Sequence, residues 1–219
     1  MTIRTTLIPM AINGEAYEDG ELFFESNTPG TYTITPKTNC YCEATVIGAG
    51  AGGAYNSSSN RSSAAPGSSA SGCIVKIWLK AGVSYTIKVG RGGDKQGWLD
   101  ANCWGGNGEA SFISCGDTNL INAPGGNGGH VWWPNAAAAA AQPEACTFAD
   151  DSANFKKIEV VMNERGRSGG VGTGSGGASV LSGTTHGKGG SATQAGGGSN
   201  ASNGNPGYVK LILIHIKKS

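Results

Sequence analysis

Three glycines stand at the spacing of a cofactor loop. Gly48, Gly50 and Gly53 follow the apolar run Ala44–Ile47 and satisfy the pattern G-x-G-x-x-G. In a dinucleotide-binding fold such glycines give a tight turn and let the backbone approach a pyrophosphate held at a helix N-terminus. That chemistry needs a helix next and an acidic residue about twenty positions on. The chain supplies neither. Asn56–Arg61 is a run of residues that disfavour helix, Pro66 interrupts the next stretch, and no Asp or Glu lies between Glu43 and Asp94. The segment reads as a strand that enters a glycine loop, and no cofactor is expected.

Other reactive residues fail to assemble into a motif. His130 and His186 lie in glycine loops, and His215 lies in an apolar stretch where a structural histidine is expected. No carboxylate pair stands at a catalytic spacing, and neither a nucleophile elbow nor a phosphate loop occurs. Asp150-Asp151 reads as a solvated turn. Cys40, Cys42, Cys73, Cys103, Cys115 and Cys146 show no Cys/His spacing for zinc, so no metal is expected. The N-terminus lacks the apolar core and cleavage site of a secretory signal, which suggests synthesis in a cytosol and free, mostly buried thiols. The expectation is a protein that is not an enzyme.

The tryptophans point to recognition instead. Trp98 and Trp104 lie in the glycine-rich loop 90–108, and Trp132 and Trp133 follow Pro124–Gly129, beside His130; only Trp78 is read as part of a strand. Tryptophan presented among Gly, Asn and Ser resembles a paratope, with rigid aromatic area beside adaptable hydrogen bonding. Trp98, Trp104, Trp132, Trp133 and His130 are therefore the candidate ligand-binding residues. The competing reading makes these rings covers for glycine backbone in a core short of side chains.

The elements that must position them are short strands. Period-2 alternation predicts Glu21–Glu25 and Thr31–Thr35 as a hairpin across Asn27-Thr28-Pro29-Gly30, then Cys42–Ile47 with Cys42, Ala44 and Val46 on one face. Cys73–Leu79, with Cys73, Val75, Ile77 and Leu79 aligned, and Ser84–Val89 read as a second hairpin through Ala81-Gly82. Ala110–Cys115 is the next strand. Lys157–Met162 places Ile158, Val160 and Met162 together, and Tyr208–Ile216 is apolar on both faces, as in a central strand buried on both sides. Asn135 can cap a short helix over Ala136–Ala141. The predicted fold is all-β: a small sandwich- or barrel-like scaffold of short antiparallel strands carrying long glycine-rich loops. Residues 1–20 read as an N-terminal docking arm and 21–219 as one glycine-rich β domain with an inserted segment at about 130–162.

Glycine makes up 38 of 219 residues, while charged residues are 14% against a usual ~25%. Net charge is +1, so no basic excess exists to track phosphates, and nucleic acid is not an expected partner. No run reaches the ~18 apolar residues of a membrane span, so no membrane insertion is expected. Glycine tracts are costly to order. They are either mobile loops or bundled polyproline II-type strands, which want glycine near every third position. Gly166, Gly169 and Gly172, and again Gly187 and Gly190, fit that period; elsewhere the glycines come in pairs.

The order of motifs carries a resemblance. Val46-Ile47-Gly48-Ala49-Gly50-Ala51-Gly52-Gly53 is followed by Gly72–Ile77, Tyr85–Gly93, Gly105-Gly106-Asn107-Gly108 through Phe112, Ala123-Pro124-Gly125-Gly126-Asn127-Gly128-Gly129, and a closing Asn205–Leu211. Over residues 30–216 this resembles the glycine-rich domain of bacteriophage tail fibres and related virion appendages. The chain departs from that pattern by having fewer long glycine runs and by the inserted stretch His130–Met162. The resemblance implies a virion structural or receptor-binding role, other virion subunits and a homotrimer as partners, a host-surface glycan or protein as ligand, and no catalytic residues. A ligand-free decorating protein of capsid or tail and a secreted scaffold of ice-binding type are the alternatives.

Overall fold

The computed structural model describes residues 20–56, 64–98, 102–132, 140–169, 175–192 and 201–214. Among them are fourteen strands and no helix. In chain order these are β1 (Leu22–Ser26), β2 (Gly30–Ile34), β3 (Cys40–Ile47), β4 (Ala54–Asn56), β5 (Gly72–Leu79), β6 (Tyr85–Val89) and β7 (Gln96–Trp98). Next come β8 (Asn102–Trp104), β9 (Ser111–Cys115), β10 (Thr118–Ala123), β11 (His130–Trp132), β12 (Thr147–Phe148), β13 (Phe155–Glu164) and β14 (Tyr208–Leu213).

Two five-stranded antiparallel sheets form an open sandwich, not a closed barrel. One has the order β1-β14-β3-β5-β13 and the other β12-β10-β9-β6-β2. The alternation read from the sequence explains the packing. Cys42, Ala44, Val46, Cys73, Val75, Ile77, Leu79, Val209 and Leu211 from the first sheet meet Tyr85, Ile87, Val89, Ile113 and Ile121 from the second, all fully buried. Burying each large side chain of this set contributes about 1.5–3 kcal/mol.

Several expectations are corrected. Neither predicted hairpin pairs with itself: β1 pairs with β14 and β2 with β6, while β5 pairs with β3 and β13. In both cases the turn carries the chain from one sheet to the other. Two strands that each present one apolar face satisfy a sandwich as well by stacking as by pairing, and the alternation is the same. The hairpin that does form is β9–β10, turned by Gly116 at φ 57°, and β10 is absent from the strands that alternation predicts. In β13 the register slips between Lys157 and Glu159 and between Val160 and Met162, so the strict alternation is lost. Ile158 and Val160 are 44% and 41% exposed, not core-facing. Bulges on an edge strand also discourage further strand pairing. In β14, Lys210 and Ile212 are only half-buried, so the strand is core-facing on one side and not on both. Ala136–Ala139 lie outside the described residues, as does His215; Ala140 and Ala141 are not helical.

The glycine tracts form the second half of the structure, a packed bundle. Segment 48–54 runs through its centre. Gly48, Ala51 and Ala54 donate their N–H groups to Ser71, Ser68 and Ala65 at 3.0–3.2 Å. Ala49 and Gly52 donate to Glu109 and Gly106, and Gly50 and Gly53 donate to Asn205 and Ser202. Each neighbour is thus addressed at every third residue, the repeat of a polyproline II helix. The central carbonyls are used in the same way. Gly93 and Gln96 donate to Gly50 and Gly53, Gly126 and Gly129 to Ala49 and Gly52, and Gly190 to Ala51. Neighbouring segments therefore surround segment 48–54 and bond to it through both its N–H groups and its carbonyls.

The packing tolerates no side chain at the contact positions. A Cβ on Gly53 would lie 1.9 Å from Ser191 O, and one on Gly50 would lie 2.0 Å from Lys188 O. Serines serve where a neighbouring carbonyl is lacking. Ser68, Ser69 and Ser71, all fully buried, accept from the N–H groups of Asn127, Arg167 and Gly166 through their Oγ atoms. The bundle continues the sandwich directly. β3 ends at Ile47 where segment 48–54 begins, β6 ends before Gly90, β10 before Pro124, and β14 begins after Gly207.

Candidate functional site

The bundle gives the molecule two poles. At the far pole, away from the sandwich, two short pairings join neighbouring segments. β4 and β7 run parallel with Asn56 opposite Trp98, and β8 and β11 run antiparallel with Trp104 opposite His130 and Asn102 opposite Trp132. Ala65 donates to His130 O at 3.2 Å, and Ala54, Ala64 and Ala192 form a small buried apolar plug beneath. At the opposite pole Gly20 donates to Leu213 O and Ile214 to Tyr41 O.

The far pole carries Trp104. Trp104 is 61% exposed, yet its ring lies on the imidazole of His130, with centroids 3.8 Å apart and planes at 22°. His130 is 5% exposed, and burial lowers its pKa below the ordinary value. As directly opposed residues of an antiparallel pair, the two rings support each other. The structure thus makes His130 a strand residue and a support. Trp98, Trp104 and Trp132 lie on short strands, which corrects the reading that only Trp78 does so. The side chains of Trp98 and Trp132, and all of Trp133, lie outside the described residues. The β8–β11 pairing is invisible in the sequence because each strand is three residues long, too short for a period to register.

A second ring pair sits where bundle meets sandwich. His186 stacks on Tyr208 at 4.2 Å and 7°, and Tyr208 donates to Glu25 Oε1 at 2.5 Å. Burial lowers the His186 pKa, which Glu25 partly opposes, and burial raises that of Tyr208. This pair fastens a loop to the sandwich.

Among the described residues no group of three or more His, Cys, Asp or Glu gathers to hold a metal. No helix among them is long and apolar enough to cross a membrane. The described arrangement offers an aromatic face for stacking and backbone polar groups for hydrogen bonding.

The sequence pattern of a family described as glycine-rich domain matches residues 26–210. The chain belongs to the glycine-rich domain family. The matched span takes in both halves of the molecule, from the end of β1 to the first half of β14. Among curated proteins no match is found.

Proposed function

We propose that this glycine-rich domain protein is a virion structural or appendage protein, a tail fibre or similar, that presents its far pole to a host-surface glycan or protein. The observation that carries the reading is the separation of poles. Trp104 is exposed at the far end of the bundle, and the bonds from Gly20 to Leu213 O and from Ile214 to Tyr41 O lie at the opposite end. Binding residues on loops above a rigid scaffold are a recurring arrangement. A packed bundle between the poles keeps the loops in place while the opposite pole, with residues 1–20 as arm, docks to other virion subunits. In this reading the protein has no catalytic role and resides in the virion. The homotrimer implied by the resemblance is part of the proposal, and sedimentation of the full chain at micromolar concentration tests it: a folded monomer counts against it.

A ligand-free decorating protein is the second reading. It draws on Ile158, Val160 and Val161, each exposed on the edge strand β13, where a neighbouring subunit could cover them. Electron microscopy of particles labelled with antibody to this chain separates the readings. Label at appendage tips supports attachment, and label spread over a shell supports decoration.

A further inference from the structure

We propose that the outer face of Trp104 is a binding platform for a neutral saccharide, the pyranose ring lying flat on the indole. The proposal rests on the receptor-binding reading and names the ligand class for that pole.

Trp104 is the most exposed large apolar side chain among the described residues, at 61%. Its exposure is not looseness. One face is covered by His130 at 3.8 Å, and His130 is itself fixed by the register of β8 with β11 and by the bond from Ala65 to its carbonyl. Because the ring is already held, stacking a ligand on its open face costs little further side-chain entropy. Glycines lie on either side: Gly105 follows Trp104, and Gly129 precedes His130 and accepts from Gly105 at 2.7 Å. Both are buried in the bundle, where a Cβ would stand 2.1 Å from Gly52 O and 1.9 Å from Ala65 O, so the backbone beneath the platform is fixed.

The ring face selects the ligand class. Of the cations that precede Trp104 in the chain, Lys95 is the nearest and is exposed, while Arg91 pairs with Asp94 at 2.9 Å and Lys88 with Glu109 at 3.1 Å. A neutral pyranoside needs no charged partner. Its C–H face packs on the electron-rich indole face, and a hydroxyl can accept from the indole N–H.

The test titrates the full chain, with nitrogen-15 in its indoles, against methyl β-galactoside, methyl β-glucoside, methyl α-mannoside and glucose 6-phosphate. The Trp104 signal is assigned from Trp104→Phe. At least one neutral glycoside should move that signal saturably, with glucose 6-phosphate weaker. Trp104→Ala should weaken binding by roughly tenfold or more with its melting temperature nearly unchanged, and Trp104→Phe should retain most of it. If no neutral glycoside moves the Trp104 signal, or if the phosphosugar binds more tightly, the saccharide assignment is wrong. Cell-surface binding by the same samples separates the two levels. Retained adhesion without glycoside binding leaves a protein receptor at this pole, and loss of both removes the attachment reading as well.

Discussion

Ala49 donates its N–H to the carbonyl of Glu109 at 2.9 Å, and a Cβ placed on the adjacent Gly108 would stand 1.9 Å from the carbonyl oxygen of Ala49. Both facts follow from one geometry: two extended backbones lie so close that one methyl group has no room. Gly108→Ala must therefore displace backbone. The expected loss is at least the about 1–3 kcal/mol typical of overpacking. Gly116→Ala, at φ 57° with open space around it, should lose only the about 1–2 kcal/mol of a left-handed backbone with a side chain. Urea unfolding of the two variants measures the difference, and equal losses would argue against a packed bundle.

Acid should loosen the protein in two steps. Burial lowers the pKa of His130 and His186 below the ordinary 6.5. As pH falls through that value the unfolded chain takes up protons first, so stability is full above it and declines below it. Glu109, held below its ordinary 4.5 by Lys88 and the Arg91 N–H, adds a later loss as pH falls further. The melting temperature should drop between about pH 7 and pH 5, and His186→Gln should flatten that drop. A melting temperature that rises over this interval would contradict the assignment.

The thiols should be silent in the folded state. Cys42 and Cys73 are fully buried, and hydrogen bonds to Cys40 and Cys146, together with burial, push both well above the ordinary thiol range. Only a thiolate alkylates readily. Iodoacetamide should leave both unlabelled in native protein, react first at the partly exposed Cys115 among the described cysteines, and label both freely in urea. Rapid native labelling of Cys42 would mean that the sandwich opens locally.

Strand β13 offers an internal comparison of buried and exposed side chains. Phe155 is fully buried and Val161 is 50% exposed. Phe155→Ala should cost about 3–5 kcal/mol, and Val161→Ser should stay within about 0.5 kcal/mol. Chemical denaturation of both variants checks the assignment of inner and outer positions.

The strand interiors are legible in the sequence because Cys42, Ala44, Val46 and Cys73 through Leu79 alternate over enough residues to define a face. Their partners are not. Turns such as Ala81-Gly82 serve equally to pair two strands or to stack them, and only tertiary packing decides. The bundle is half legible. The period of Gly166 and Gly169 hints at polyproline II strands, but the central Gly48–Gly53 breaks the period with Ala49 and Ala51. It breaks it because a segment surrounded on all sides needs small residues everywhere, not one residue type at every third place. Of the candidate site, Trp104 and His130 stand out in the sequence as residues but not as a stack, since their contact depends on two three-residue strands that converge only through the bundle.

The most direct measurement is competition. Purified protein, wild type and Trp104→Ala, is added to susceptible host cells before the particles proposed to carry this chain, and particle adsorption is counted. Wild type should reduce adsorption in a saturable way, and Trp104→Ala, equally stable, should compete much less. Adsorption unchanged by saturating wild-type protein, or blocked equally by both forms, would contradict a host-binding pole built around Trp104.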